Sequence, residues 1–336
     1  YVGVVKTPTQ DTTVTLTATV TFQLTDAQEQ TVTVSKVFTV TVKGQQTNMR
    51  EQLLAKLDAG FASYGGLRDA VTGLPLTQRD GKYLAANDIH FPTTRDFGVD
   101  GKYTPVTIAS SDTDTIVPPD VNNAARAEVY RPLPGEAAKD VTVTVTITDS
   151  DSGVSASRSF LIAVQPLTQQ EIDAELALMA AVKAHYFDGI RNANTDAKNI
   201  LTDLHPFREA YLDADGQLVW VYDHADLTGS GIVPVAMDGW TESEQWRLFR
   251  STDPDVISHE NLLVTRAAGD KTVTVSSELS SETLGKYAAR YPDNKDFQAL
   301  SCQPVSVELT VPGTEPVTPT PVDPTPVEPD HKALSV

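Results

Sequence analysis

Residues 141–164 read VTVTVTITDSDSGVSASRSFLIAV. Over 141–147 an apolar residue stands at every second position, with threonine between. Successive side chains of a β-strand point to opposite faces of a sheet, so the pattern predicts a strand with one buried and one wet face. A polar turn segment follows at 149–158, and the alternation resumes over 160–164. The stretch therefore predicts two antiparallel strands joined by a turn.

The same pair of alternating strands occurs two more times in the chain. In one pair the apolar positions lie within 14–20 and 38–42, and in the other within 273–279 and 305–311. The last pair is joined by a longer segment, 281–303. Recurrence of one pattern in a fixed order indicates an internal repeat.

Two shorter signatures recur with the strand pairs. A Val-x-(Arg or Thr) element precedes each pair, at 5–8, 129–132 and 264–267. Further upstream, Ser-Ser-Asp-Thr-Asp-Thr-Ile at 110–116 matches Ser-Thr-Asp-Pro-Asp-Val-Ile at 251–257. Because these signatures keep one order relative to the strands, we interpret the repeat as duplicated modules.

Two segments between the strand pairs have the spacing of amphipathic helices. Apolar residues recur three or four positions apart over 49–64 and again over 172–190. The pair Asn48–Glu51 resembles a helix cap, and Thr168–Glu171 matches the capping box. We expect each helix to pack on its own sandwich or to bridge two neighbouring ones.

The stretches VTLTATV at 14–20, KVFTVTV at 36–42 and the Val-x-Arg-Pro element at 129–132 carry a family resemblance. With the order of helix, loop, turn and strands, the chain resembles the atrophied bacterial immunoglobulin-like domains, tandem modules of secreted or wall-anchored proteins, mostly of Gram-positive bacteria. The resemblance implies a mainly β fold with accessory helices, built as tandem immunoglobulin-like β-sandwich modules, each preceded by an amphipathic helix.

The repeat and the resemblance together predict the domain boundaries. Residues 1–43 are expected to be the C-terminal half of a module, and 46–165 a helix with a complete module. Residues 168–313 are expected to be a helix with a divergent module that carries an aromatic-rich insertion at about 205–250. Prolines recur through 314–336, which favours an extended linker.

Charge and composition exclude several classes of protein. The chain of 336 residues has 45 acidic and 26 basic side chains, for a net charge of −19. We therefore expect no nucleic acid as a partner, since binding phosphates needs a basic surface. The sequence lacks the run of about 20 apolar residues that a membrane span requires, so we expect no membrane insertion within this segment. The single cysteine cannot form an intrachain disulfide.

The insertion holds the residues that we expect to contact a ligand. It contains all three tryptophans of the chain, Trp220, Trp240 and Trp246, and several other aromatic residues. Flat aromatic faces can pack against sugar rings or against a protein partner. We therefore name Trp220, Tyr222 and Trp240 as candidate ligand-binding residues. The alternative is a local core filled by tryptophan.

A turn in the same insertion is a candidate calcium site. Asp213 and Asp215 stand before Gly216, in a sequence typical of a β-hairpin turn. Aspartates in such turns can also bind Ca²⁺, although the twelve-residue calcium loop with its terminal glutamate is not present. Calcium is the one cofactor we consider. The six histidines are scattered and no nucleophile motif occurs, so we name no catalytic residue and do not expect an enzyme.

These observations favour a non-catalytic bacterial cell-surface or secreted segment that acts as a spacer or adhesion module and presents neighbouring domains. The alternative is an accessory carbohydrate- or protein-binding module of a secreted glycan-degrading enzyme or peptidase. The expected partners are a host glycan or a host protein. We expect a monomer located outside the cell.

Overall fold

A computed structural model describes residues 5–23, 31–93, 97, 105–119, 125–237, 247–259 and 261–314. The chain is mainly β with accessory helices, as predicted. It divides into two compact units. Unit 1 comprises Tyr1–Glu175 with Thr228–Ser230, and unit 2 comprises Leu176–Leu227 with Gly231–Val336. The module boundaries drawn from the sequence stay predictions.

Unit 1 contains eleven strands and two helices within the described residues, and the second helix continues past the unit's end. In chain order they are β1 (Thr12–Gln23), β2 (Thr31–Val42), α1 (Gln45–Tyr64), β3 (Arg68–Asp69), β4 (Gln78–Arg79), β5 (Lys82–Ala85), β6 (Ile89–His90), β7 (Val106–Ser110), β8 (Ile116–Val117), β9 (Arg126–Val129), β10 (Lys139–Thr148), β11 (Ser155–Val164) and α2 (Gln169–Ala184).

Two sheets and a helix enclose the core of unit 1. One sheet has the order β4-β5-β11-β10-β7 and the other β3-β6-β9-β8, while β1 and β2 form a separate hairpin. The alternating valines of β10 are completely buried, and Leu57 of α1 packs in the same core. On the outer face, threonines of β10 and serines of β11 hydrogen-bond in pairs, as at Thr144–Ser159 (2.9 Å) and Thr146–Ser157 (2.8 Å). This sandwich-like arrangement agrees with the alternation in the sequence.

The start of α1 differs from the prediction. The helix begins at Gln45 after Gly44, so the predicted cap at Asn48–Glu51 is wrong. The amide of Gly44 instead donates to the Asp11 carboxylate at 2.7 Å, from a residue far upstream in the chain. The same carboxylate contact lowers the pKa of Asp11. Because the turn before β1 supplies this acceptor, a local sequence pattern could not reveal it.

The start of α2 confirms its prediction. Oγ1 of Thr168 accepts a hydrogen bond from the amide of Glu171 at 3.2 Å. In return, the amide of Thr168 donates to Oε2 of Glu171 at 2.7 Å. This reciprocal pair is the capping box.

Unit 2 also contains a long antiparallel strand pair like β10–β11, but different helices and strands surround it. Its elements after α2 are α3 (Tyr186–Ile190), β12 (Glu209–Leu212), β13 (Leu218–Val221), β14 (Ile232–Val235), β15 (Arg250–Ser251), β16 (Lys271–Ser281), α4 (Tyr287–Arg290), α5 (Lys295–Gln298) and β17 (Gln303–Val311). The strands form one sheet of order β13-β12-β14-β16-β15, with β17 paired to β16. Two short helices occupy the long connection between β16 and β17. Of the described residues, none lies in a helix long and apolar enough to span a membrane.

The two Ser-x-Asp signatures form the same loop in the two units. Ser110 Oγ donates to the carbonyl of Asp112 at 2.9 Å, and Ser251 Oγ donates to the carbonyl of Asp253 at 3.0 Å. The amide of each aspartate returns a hydrogen bond to its serine at 3.2 Å. Identical local bonding supports the interpretation of an internal repeat.

An arginine closes the base of the hairpin in each unit. The guanidinium of Arg131 donates to the two carbonyls of 165–166, at 2.9 and 2.6 Å. The guanidinium of Arg266 donates to the two carbonyls of 312–313, at 2.9 and 2.8 Å. The planar guanidinium can reach two acceptors at once, so one side chain ties the turn before the hairpin to the segment after it.

The hairpin β1–β2 shares this base with the other two hairpins. In each case a carbonyl of the Val-x-(Arg or Thr) turn accepts an amide three residues beyond the second strand. The three pairs, carbonyl first, are Pro8–Gln45 at 2.8 Å, Pro132–Leu167 at 2.8 Å and Ala267–Thr314 at 2.9 Å. The hydrogen bond is therefore kept in the third hairpin, where Ala267 stands at the position of Pro8 and Pro132.

Candidate functional site

A cavity of about 630 Å³ in unit 2 is the candidate site, and it lies in part of the predicted insertion. Its volume falls in the range of small-ligand pockets. The wall combines polar and aromatic side chains: Asn192, His205, Phe207, Arg208, Tyr222 and Phe249. One predicted ligand-binding residue, Tyr222, is among them.

Two chain segments place the aromatic side chains of the cavity opposite one another. The segment 205–208 runs beside the end of β13, where the amide of Arg208 donates to the carbonyl of Val221 at 2.7 Å. The His205 ring is stacked on Tyr222, with ring centroids 4.5 Å apart and planes at 15°.

Tyr222 is a half-buried wall residue with a fixed hydroxyl. The hydroxyl donates to the carbonyl of Gly189 at 3.0 Å. Burial raises the pKa of the Tyr222 phenol, and the nearby Arg191 guanidinium opposes that shift only in part. The phenol is thus neutral near pH 7. It offers an aromatic face and a hydrogen-bonding edge rather than a charge.

Trp220 packs behind this wall as part of a local aromatic cluster. Its indole meets the ring of Phe207 edge-on, with centroids 4.7 Å apart. A Cβ atom on Gly189 would lie 2.4 Å from the Trp220 ring, so the indole rests directly on the glycine. Phe207 also contacts Tyr186 and Phe249. Trp220 is not among the residues lining the cavity, and its contacts fit the alternative of a local core filled by tryptophan.

Trp240 and Trp246 lie outside the described residues, so the structure places only two of the three predicted ligand-binding residues. His205, Arg208 and Asn192 line the cavity but were not named from the sequence. His205 and Tyr222 are distant in the sequence, and only the pairing of their segments brings them together. The run His-Pro-Phe-Arg at 205–208 was the one available signal, since it places two ring side chains at alternate positions.

The candidate calcium residues form the turn between β12 and β13. Oδ1 of Asp213 accepts the amides of Asp215 at 2.9 Å and Gln217 at 2.8 Å, and Gly216 has a φ of 75°. This carboxylate therefore stabilises the hairpin turn. Within the described part of the chain, no group of three or more histidine, cysteine, aspartate or glutamate side chains could hold a metal ion. Calcium binding at Asp213 and Asp215 stays a prediction.

The sequence matches no protein-family model and no curated protein. Among solved structures, the chain is similar to the crystal structure of human protocadherin-24 EC1-2, at 11% identity over 71% of this chain and 96% of that chain, with a TM-score of 0.17. That TM-score supports no conclusion, so the mainly β fold rests on the sheets of the two units, and the sandwich-like arrangement on the two sheets of unit 1.

Proposed function

We propose that this chain is a non-catalytic extracellular segment whose tandem β-sandwich modules act as a spacer that presents neighbouring domains. The chain repeats one hairpin with one closed base, and this repeat supports a spacer function. The same turn bond recurs three times, and the arginine contacts recur in both units. Serial copies of one self-contained unit are what a spacer requires.

The contacts of Arg131 support a load-bearing role for the hairpin base. This largely buried side chain reaches the carbonyls of 165–166 and both carboxylate oxygens of Glu171, at 2.8 and 3.2 Å. Separating the start of β10 from the end of β11 must break all of these bonds together. A hydrogen bond to a charged group contributes about 1.5–3 kcal/mol, and solvent screening at the half-exposed Glu171 lowers the total for this set of bonds.

The resemblance to bacterial immunoglobulin-like domains favours secretion or cell-wall attachment in a Gram-positive organism. The net charge of −19 fits that location, because strong net charge keeps repeated domains soluble and apart. We therefore propose that the chain is located outside the cell.

Pulling the chain from its two ends tests the spacer function. We expect single-molecule force spectroscopy to give two separate unfolding events, one for the predicted module 46–165 and one for 168–313. Each should release about 400–500 Å of chain at about 3.5 Å per residue. Arg131→Ala should lower the force of one event and leave the other unchanged. A single gradual extension, with no distinct events, would contradict a load-bearing spacer.

A second candidate function is ligand binding at the cavity, which corresponds to the alternative of an accessory binding module. The stacked rings of His205 and Tyr222, beside Arg208 and Asn192, combine a flat aromatic surface with hydrogen-bond donors. Sugars are recognised by this combination of apolar faces and polar edges. A glycan is therefore the ligand class that the cavity favours.

A glycan array with matched tyrosine variants tests this second function. Tyr222→Ala removes a ring of the cavity, whereas Tyr211→Ala removes a tyrosine of the same hairpin that does not line it. We expect the first variant to lose binding and the second to keep it. Equal binding by the two variants, or no binding by the parent chain, would reject a glycan site here.

A further inference from the structure

The hairpin β1–β2 has one apolar face that is exposed to solvent. Its register pairs Val14 with Val40, Leu16 with Phe38, Val20 with Val34 and Phe22 with Val32. These eight side chains are between 37% and 56% exposed, whereas the opposite face is mostly threonine and serine. An apolar face of this length, presented on both strands of a hairpin, is typical of an interaction surface.

The equivalent hairpin β10–β11, which is also in unit 1, shows what contacts such a face when it is covered. Aligned at their closed bases, Val14 and Leu16 correspond to Val141 and Val143, and Val40 corresponds to Ile162. All three counterparts are 0% exposed. The alternation is the same in both hairpins, so the difference lies in what covers them.

Three elements cover the hairpin β10–β11. Helix α1 packs on its apolar face through residues such as Leu53, Leu57 and Phe61. Strand β7 pairs with the free edge of β10, and β5 pairs with the free edge of β11. In unit 2, β15 pairs with β16, and the segment 197–200 hydrogen-bonds to β17. In the described part of the chain, β1 and β2 pair only with each other.

A charged residue on the apolar face adds a second constraint on the partner. Lys36 corresponds to Arg158, whose guanidinium binds the Asp58 carboxylate of α1 through two hydrogen bonds of 2.8 and 2.7 Å. The Lys36 ammonium lies 5.4 Å from the centre of the Phe38 ring, on the apolar face. A covering helix that carries a carboxylate at the position of Asp58 would complete this face.

The size of the face argues against a second copy of the same hairpin. Two strands of 12 residues cover about 40 Å by 10 Å, so two hairpins packed face to face would bury about 800 Å² in total. Stable specific interfaces bury about 1,200 Å² or more. A partner that also pairs with both strand edges buries more surface and satisfies the free backbone groups.

We propose that the β1–β2 face is the docking surface for a front half-module of the kind formed by residues 45–132, which runs from helix α1 to the end of the turn before β10. In both units the covering elements precede the turn in the chain, so the partner supplies a helix with a carboxylate opposite Lys36 and a strand for each hairpin edge. This inference goes beyond the proposed function and does not depend on it.

The test joins a front half to the chain from Thr9 onward and measures hydrogen exchange. In the extended protein, residues 45–132 are repeated directly before Thr9, which matches the position of Pro132 to that of Pro8. We expect the amides of β1 and β2 to exchange about 100-fold or more slowly than in the parent chain, approaching those of β10 and β11. In the extended protein, Lys36→Asp should remove this protection, and changing the appended copy of Asp58 to lysine should restore it.

A second extension guards against one fusion that fails to fold. It repeats residues 168–267 before Thr9, so that the front half of the other unit is offered. Slow exchange of β1 and β2 in either extended protein supports the proposal. Fast exchange in both would overturn it, as would a parent chain that light scattering shows to be a dimer with β1 and β2 already protected.

Discussion

Gly189→Ala is expected to destabilise unit 2 because Trp220 occupies the space above the glycine. The added Cβ atom would lie 2.4 and 2.5 Å from two carbons of the indole, well inside van der Waals contact. Overpacking of this kind costs about 1–3 kcal/mol. Since alanine is a better helix former than glycine in α3, it returns up to about 1 kcal/mol. A net loss of about 1–2 kcal/mol follows, or a fall of about 2–8 °C in Tm for a unit of this size.

A double-mutant cycle isolates this contact. In a Trp220→Ala background the clash is gone, so Gly189→Ala should be neutral or should stabilise the unit by up to about 1 kcal/mol. Unfolding in urea, followed by circular dichroism, gives the four free energies of unfolding. The reasoning fails if Gly189→Ala costs the same with and without the indole, or if the single variant is as stable as the parent.

Three further predictions concern unit 1. Arg131→Ala should lower the free energy of unfolding by about 3 kcal/mol in denaturant titrations, because several acceptors lose one buried donor, and Arg131→Lys should restore only a part. The Lys139 ammonium hydrogen-bonds to the Asp112 carboxylate and lowers its pKa from 3.8 to about 2. The ionised carboxylate therefore stabilises the folded chain fully above pH 4, and this stabilisation is lost as the pH falls through 2. Asp112→Asn should flatten this acid limb when the free energy of unfolding is measured from pH 2 to 6. Val143→Ala should cost about 2 kcal/mol in thermal unfolding, whereas Leu16→Ala, at the equivalent exposed position, should cost under about 0.5 kcal/mol; equal losses would contradict the difference in burial.

The strands and the repeat could be predicted because alternation is a local property of the sequence. Val141 and Val14 stand in the same pattern, yet one is buried and the other is exposed. Alternation identifies which face of a strand is apolar, but the residues that cover that face lie elsewhere in the chain. The pattern that predicted these two strands therefore could not predict that the apolar face of β1–β2 is exposed.

The candidate site was less predictable because long-range packing forms it. Composition located the aromatic insertion, and Tyr222 does line the cavity. The stack of His205 on Tyr222 depends on the pairing of two separate segments, and the position of Trp220 depends on a glycine in α3. Single residues in a sequence carry no information about such neighbours. The cap at Gly44, completed by Asp11, is the same kind of case.

The hydroxyl pairs on the outer face of β10–β11 have a consequence for folding accuracy. A shift of two residues between these strands would again place threonine opposite serine and would keep every valine of β10 on the inner face. The alternation of the two faces therefore does not exclude this slip by itself. Contacts at the two ends of the hairpin select the native alignment, namely the turn at 149–154 and the base where Arg131 donates to the carbonyls of 165–166. Gly153, with a φ of 70° and its amide bonded to the carbonyl of Asp149, is the residue of that turn least able to accept a side chain. The register of this regular ladder thus depends on a few contacts at its two ends, of which the turn at Gly153 is one and the base at Arg131 is the other.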